Sequence, residues 1–265
     1  MPAPGYPCYR NMLAAFGSEP VDVAVDATTR FQPTPELLER ALPLSGVVVA
    51  SPSNPTGTML DGKAMSNLTA WCSANEVRLI SDEIYHGITY GGQAPTALAH
   101  TGEALVINSF SKYFSMTGWR LGWLVAPEVM LPAIERLAQN LYISPPTVSQ
   151  VSAVRAFDCH AELQENVRRY AANRQVLLEG LPKAGLDDLA PADGAFYVWA
   201  RVDQISDHSQ TLCSEWLTDL GVAATPGIDF DPTHGHRYVR FSFAGSTEDM
   251  LEAMRRLATW YEARR

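Results

Sequence analysis

An amine, two hydroxyls and a fixed cation lie close together in Ser109-Phe110-Ser111-Lys112 and Arg120, the residues of this chain best suited to chemistry. The run that precedes them, Ala104-Leu105-Val106-Ile107-Asn108, is short, branched and uncharged, and reads as a strand covered on both faces in a parallel sheet. Ligands bind such sheets in the crevice at the carboxyl ends of the strands. Lys112 therefore falls where chemistry is done, with Ser109 and Ser111 as donors beside it.

Polar residues follow two other strand-like runs in the same way. Asn54 lies in Ser51-Pro52-Ser53-Asn54-Pro55-Thr56-Gly57, after Gly46 to Ala50, while Asp82 and Tyr85 lie in Ser81-Asp82-Glu83-Ile84-Tyr85, after Val77 to Ile80. Three strand ends thus converge on one edge. Only a short turn separates Lys112 from the run Leu121 to Val125, which leaves no room for a crossover, so that strand is expected to run antiparallel and to return Arg120 to the same edge. Between Val21 and Pro127 strand-like runs alternate with helical or loop segments, among them Asp61 to Asn75, where Met65, Leu68 and Trp71 suit a crossover helix.

Beyond Pro145-Pro146 the pattern changes. Thr147 to Leu181 reads as one long helix joining two domains, with Leu163, Val167, Tyr170 and Leu177 on its apolar stripe. Short strands and helices follow, including Gly194 to Trp199, a helix around Thr211 to Leu220, the strand Tyr238 to Phe243, and a last helix begun by Ser246 to Asp249. The expected fold is α/β: a mostly parallel sheet with one antiparallel strand and flanking helices over residues 1–174, and a smaller α+β domain over 175–265. In Tyr238 to Phe243, alternation puts Val239, Phe241 and Phe243 on one face and Arg240 on the other.

The bulk numbers exclude several classes. A net charge of −9 without any Lys or Arg cluster argues against nucleic acid or an anionic membrane as partner. The four cysteines show no CxxC pair and no metal-ligand spacing, which fits reduced thiols in a cytoplasm. His234-Gly235-His236, near Asp229 and Asp231, reads as a polar loop rather than a metal site, because nothing fixes the two imidazoles. No run reaches the ~18 apolar residues of a membrane span, and no secretory leader follows Met1.

In order and spacing, the Ser51 to Gly57, Ser81 to Tyr85 and Ser109 to Lys112 segments, with Thr117-Gly118-Trp119-Arg120-Leu121-Gly122, resemble the pyridoxal-phosphate (PLP) aminotransferases of class I/II, the aspartate aminotransferase fold type. The resemblance implies a set of roles. Lys112 is the amine that forms the Schiff base with PLP, which requires a neutral amine; a lone lysine would more often snorkel at the surface. Asp82 pairs with the pyridinium nitrogen, and the adjacent Glu83 takes the duller task of a helix cap or loop solvation. Tyr85 and Asn54 bond the phenolic oxygen, Asn54 also facing substrate, although an Asn before Pro55 suits a turn in any protein. Arg120 and Ser109 hold the phosphate, where a guanidinium gives bidentate pairing. Ser111 joins them or serves as a local turn hydroxyl. Arg240 clamps the substrate α-carboxylate rather than resting in solvent, and Tyr6, with Tyr9 as the alternative, stacks on the cofactor ring rather than merely packing. Gly227, in Pro226-Gly227-Ile228, reads as a structural turn.

The same resemblance implies transfer of an amino group between an L-amino acid and a 2-oxo acid, with a homodimer in the cytosol. It covers only about the last two-thirds of a usual member. The glycine-containing phosphate loop, the first part of the small domain and a segment completing a neighbouring subunit's site are expected upstream and are missing. Two rival readings keep the cofactor: a β-lyase of the same fold, and a module that binds PLP without turnover.

Overall fold

A computed structural model describes all 265 residues. The chain divides into two compact units, Thr34–Pro52 with Leu60–Val167, and Met1–Pro33 with Ser53–Met59 and Arg168–Arg265. The later boundary falls between Val167 and Arg168. The segments Met1–Pro33 and Ser53–Met59, however, belong with the C-terminal residues rather than with the sheet that follows them in sequence.

The first unit, termed the sheet unit, is built on four strands: β3 (Gly46–Ala50), β4 (Arg78–Asp82), β5 (Leu105–Ser109) and β6 (Gly122–Val125). They lie in that order, the first three parallel and β6 antiparallel to β5, with Ser109 opposite Gly122. The antiparallel return follows from the short Lys112 to Arg120 turn. Helix α3 (Gly62–Ala74) makes the crossover, begun by Asp61, whose carboxylate accepts the Ala64 N–H at 2.7 Å. Its Met65, Leu68, Thr69 and Cys72 are buried, the i, i+3, i+4, i+7 stripe of a helix laid on a sheet. Val47, Val49, Leu79 and Val106 are also almost wholly buried, each such side chain contributing about 1.5–3 kcal/mol. Cover thins across the sheet: Val47, Val49 and Ala50 of β3 are buried and β4 alternates buried and half-buried residues, whereas all four residues of β6 are exposed.

The expected long helix is in fact two. α5 (Thr147–Ala156) and α6 (His160–Gly180) are separated at Phe157 to Cys159. Phe157 caps α5 with its backbone still in the right-handed helical region and sets its ring against Phe110 and Phe114, at 5.6 and 5.2 Å between centroids, and Cys159 O accepts the Leu163 N–H that starts the new helix.

The second unit, termed the arginine unit, holds the parallel pair β1 (Pro2–Ala3) and β2 (Val23–Ala24), and an antiparallel sheet in the order β7 (Tyr197–Arg201), β9 (Tyr238–Ser242), β8 (Thr225–Pro226). Val239, Phe241 and Phe243 face a core with Trp216, Leu177 and Leu257, while Tyr238 and Arg240 are half-buried on the other side, where buried Trp199, the register partner of Arg240, stacks on the Tyr238 ring at 5.2 Å. Asn173, wholly buried, donates to the carbonyls of Phe243 and Gly245 and accepts from Thr247, fixing the end of β9 to the start of α8 (Thr247–Glu262). Ser246 caps that last helix by accepting the Asp249 N–H at 3.1 Å. No helix is long and apolar enough to cross a membrane.

Candidate active site

The sheet unit gathers six of the expected residues at its strand ends. Asp82 is the last residue of β4, paired in register with Ile107 of β5, and Lys112 lies three residues past the end of β5. Tyr85 is buried and its ring centroid lies 5.7 Å from Lys112 Nζ. Half-buried Asp82 also accepts the Ile84 N–H at 3.0 Å, so its carboxylate closes the local turn as well as standing at the sheet edge. Ser109 Oγ is 2.9 Å from Ser111 Oγ and 3.1 Å from the Leu121 carbonyl, and accepts the Ser111 N–H at 3.0 Å. Both serines therefore hold the turn together, and neither excludes the other as an anion donor.

Arg120 is the odd member. It is exposed, sits at a φ of 52°, a left-handed conformation rarely adopted by non-glycine residues, and donates from Nη1 to the Thr117 carbonyl at 2.9 Å. Thr117 Oγ1 in turn donates to Ser111 O at 2.6 Å, tying the arginine's turn to the lysine's.

Of the two roles expected for Glu83, the structure departs from solvation and sides with the cap, since the Glu83 carboxylate accepts the N–H of Ala97, the first residue of the short helical turn Ala97–Ala99. Glu83 is 3% exposed, accepts from Ser81 Oγ, Thr96 Oγ1 and the Ala97 N–H at 2.9–3.1 Å, and lies 3.3 Å from His86. Burial lowers the His86 pKa, against the opposing pull of the Glu83 carboxylate and the Ser51 carbonyl. The other imidazole nitrogen lies 3.1 Å from Ser51 O, so the pair joins the ends of β3 and β4 behind Asp82. Sequence reading passed over His86 and Thr96. Their only signal was a charged residue beside Asp82 with no place in the cleft.

The arginine unit brings together Arg240 and Asn54, 186 residues apart. Arg240 Nη1 donates to Asn54 Oδ1 at 2.8 Å and Nη2 to Thr225 Oγ1 at 3.1 Å. The guanidinium lies 4.4 Å from the Tyr197 ring centroid and 4.7 Å from that of Phe230, an aromatic frame that orients its plane. Thr225 is opposite Arg240 in the β8–β9 register, a cross-strand relation that no local motif announces. Asn54 is buried in a turn closed by Gly57, whose φ is 68° and where a Cβ would come 2.7 Å from the Tyr197 carbonyl. Gly227 also belongs to a close approach, its backbone packed against Gly235. Tyr6 is 42% exposed and meets Tyr9 edge to ring at 5.6 Å.

An acid, a tyrosine, a lysine and two hydroxyls at neighbouring strand ends in one unit, and an arginine held by an asparagine in the other, match in chain order the motif series of one enzyme family. The family model for aminotransferase class I and II matches residues 1–257. The chain belongs to the class I and II aminotransferases.

Individual relatives agree. The valine–pyruvate aminotransferase of Mycobacterium tuberculosis is 51% identical over 98% of this chain and 68% of the relative. The (5-formylfuran-3-yl)methyl phosphate transaminase of Methanocaldococcus jannaschii is 34% identical over 96% of this chain and 66% of its own. A solved aminotransferase from Mycobacterium tuberculosis superposes with a TM-score of 0.97 at 50% identity, covering 99% of this chain and 69% of that one. This aminotransferase chain thus spans about two thirds of the length of the relatives it matches.

Proposed function

We propose that the chain uses PLP, anchored on Lys112, to move an amino group from an aliphatic L-amino acid to pyruvate. The observation that carries the cofactor reading is the donor set of the sheet unit: Lys112 beside the buried Tyr85, one strand from Asp82, with two serine hydroxyls before the lysine. The substrate class is supported by the 51% identical relative. Homodimerisation and a cytosolic location rest on likeness to the family alone.

When bound, PLP supplies an electron-withdrawing ring that renders the Cα–H of an attached amino acid acidic. Asp82 would hold a proton at the ring nitrogen, Tyr85 and Asn54 would bond the ring oxygen, and Tyr6 would cover the ring face. Ser109, Ser111 and Arg120 would hold the phosphate. Lys112 would take the Cα proton as base and return it as acid, a role worth about 10²–10⁴-fold in rate. Arg240 clamps the substrate carboxylate through its planar fork, whose orientation is already set by Asn54, Thr225 and the two rings.

The test is isotopic: the chain is incubated with PLP, ¹⁵N-labelled L-valine and pyruvate. Formation of ¹⁵N-alanine and the 2-oxo acid of valine, abolished by Lys112→Ala, is the expected result. Release of free ammonia with no labelled alanine overturns the transfer reading.

A further inference from the structure

Asp82 and Tyr85 lie on one tight turn, and two further residues of that turn, Glu83 and His86, make their contacts elsewhere. The backbone closes the turn through His86 N–H, which donates to the Glu83 carbonyl at 2.9 Å, and Ile88 N–H, which donates to that of Tyr85 at 3.0 Å. Glu83 Oε1 accepts from Ser81 Oγ at 3.1 Å, Thr96 Oγ1 at 3.0 Å and the Ala97 N–H at 2.9 Å. Its Oε2 lies 3.3 Å from His86 Nδ1, and the other ring nitrogen, Nε2, lies 3.1 Å from the Ser51 carbonyl.

These contacts fix a proton count. A carbonyl oxygen only accepts, so Nε2 must carry a hydrogen to face Ser51 at that distance. With that hydrogen alone, the ring would present a bare Nδ1 lone pair to a carboxylate that is 3% exposed, two acceptors facing each other away from water. A second proton therefore belongs between Nδ1 and Oε2, held by the two groups together. Burial penalises a lone charge on His86, and a pair of zero net charge avoids that penalty.

The pair also ties the turn to its surroundings. Nε2 reaches Ser51, the first residue beyond β3, whose N–H donates to the Asp82 carbonyl at 3.2 Å and whose Oγ accepts the Leu60 N–H at 3.0 Å. Oε1 reaches the start of the Ala97–Ala99 turn. Asp82 and Tyr85 are thus carried on a turn fastened on two sides, with the Ile84 N–H resting on Asp82 Oδ1 at 3.0 Å.

We propose that Glu83 and His86 are a positioning pair, joined by one shared proton, that clips the turn bearing Asp82 and Tyr85 to the end of β3 and so fixes where those side chains meet the cofactor ring. Its purpose rests on the PLP reading, while the clip itself is a property of the chain without cofactor.

The test begins on the cofactor-free 265-residue chain. Proton NMR is expected to show two solvent-protected hydrogens at the His86 ring, both missing from His86→Phe. In Glu83→Gln the amide oxygen keeps the three accepted bonds and the amide N–H donates to Nδ1, so a neutral partner replaces the shared proton. Exchange of the Ile84 amide quickens by at least about tenfold in His86→Phe, with the α3 amides unchanged, and stays within about twofold of the parent in Glu83→Gln. PLP affinity, titrated by absorbance, follows the same order, falling at least about tenfold in His86→Phe and holding in Glu83→Gln. A single protected ring proton in the parent overturns the proposal. So does Ile84 exchange unmoved by His86→Phe, or a Glu83→Gln variant as impaired as His86→Phe. Failure of the unaltered chain to capture PLP sinks the cofactor reading instead, and the proton count and Ile84 exchange then decide the clip without it.

Discussion

Two arginines are proposed here to face anions, and the chain holds them differently. Arg240 is half-buried, bonded to Asn54 and Thr225 and flanked by two aromatic rings, on a strand whose opposite face is wholly covered. Arg120 is exposed, held by a hydrogen bond to its own turn, and leads into a strand with no covered residue. Preorganisation is thus uneven: the arginine proposed for the carboxylate comes with its supports in place, while the one proposed for the phosphate stands on an open edge.

The largest expected effect tests the cover itself. Phe243→Ala empties a fully buried site behind β9 and costs about 3–5 kcal/mol, whereas Leu124→Ala on β6 changes stability by less than about 0.5 kcal/mol. Urea unfolding of the two variants reads the contrast directly, and equal losses would remove it. Next is the clamp: Arg240→Lys keeps the charge and loses the fork, so KM for the amino acid rises about 10- to 100-fold, equivalent to about 1.4–2.7 kcal/mol. A fall in kcat at unchanged KM would place Arg240 elsewhere in the mechanism.

Thiols report a smaller effect. Burial raises Cys72 to about 11 and Cys213 to about 12, the latter also through Asp229, while Cys8 and Cys159 are exposed. Above the unfolded thiol pKa the unfolded chain releases these protons and the folded chain keeps them. Stability therefore falls as pH rises from about 9 toward 11, by at most about 1.4 kcal/mol per pH unit for each thiol. Thermal melts of Cys72→Ala and Cys213→Ala should lose part of that slope, and maleimide should label Cys8 and Cys159 well before the other two. Smallest of all, Arg120→Ala leaves the melting temperature nearly unchanged, within about 0.5 kcal/mol, because an exposed side chain bonded to its own turn stabilises little.

The legible parts of the molecule are those where local pattern and global packing agree. Alternation in Tyr238 to Phe243 placed Arg240 correctly, the brief turn after Lys112 forced β6 to return antiparallel, and Asp61 marked the start of α3. Long-range features were hidden. Thr225 beside Arg240 is a cross-strand relation, and the split between α5 and α6 falls where the Phe157 ring meets Phe110 and Phe114, residues far earlier in the chain. Glu83 reads from sequence only as a helix cap or loop solvation, because it neighbours a better candidate. Its burial among Ser81, Thr96, Ala97 and His86 required knowing where the Thr96 loop returns. Composition did carry one further message: the uncharged sequence of β6 describes an interior strand, and only the structure shows it standing at an edge.

The chain has three lysines, Lys63, Lys112 and Lys183, so the cofactor anchor is open to a direct measurement. The protein is incubated with PLP, reduced with borohydride, digested and mapped by peptide mass spectrometry. A pyridoxyl-phosphate adduct on Lys112 alone, absent from Lys112→Ala, is the predicted result. An adduct that persists in Lys112→Ala, or that falls equally on Lys63 and Lys183, would contradict the account.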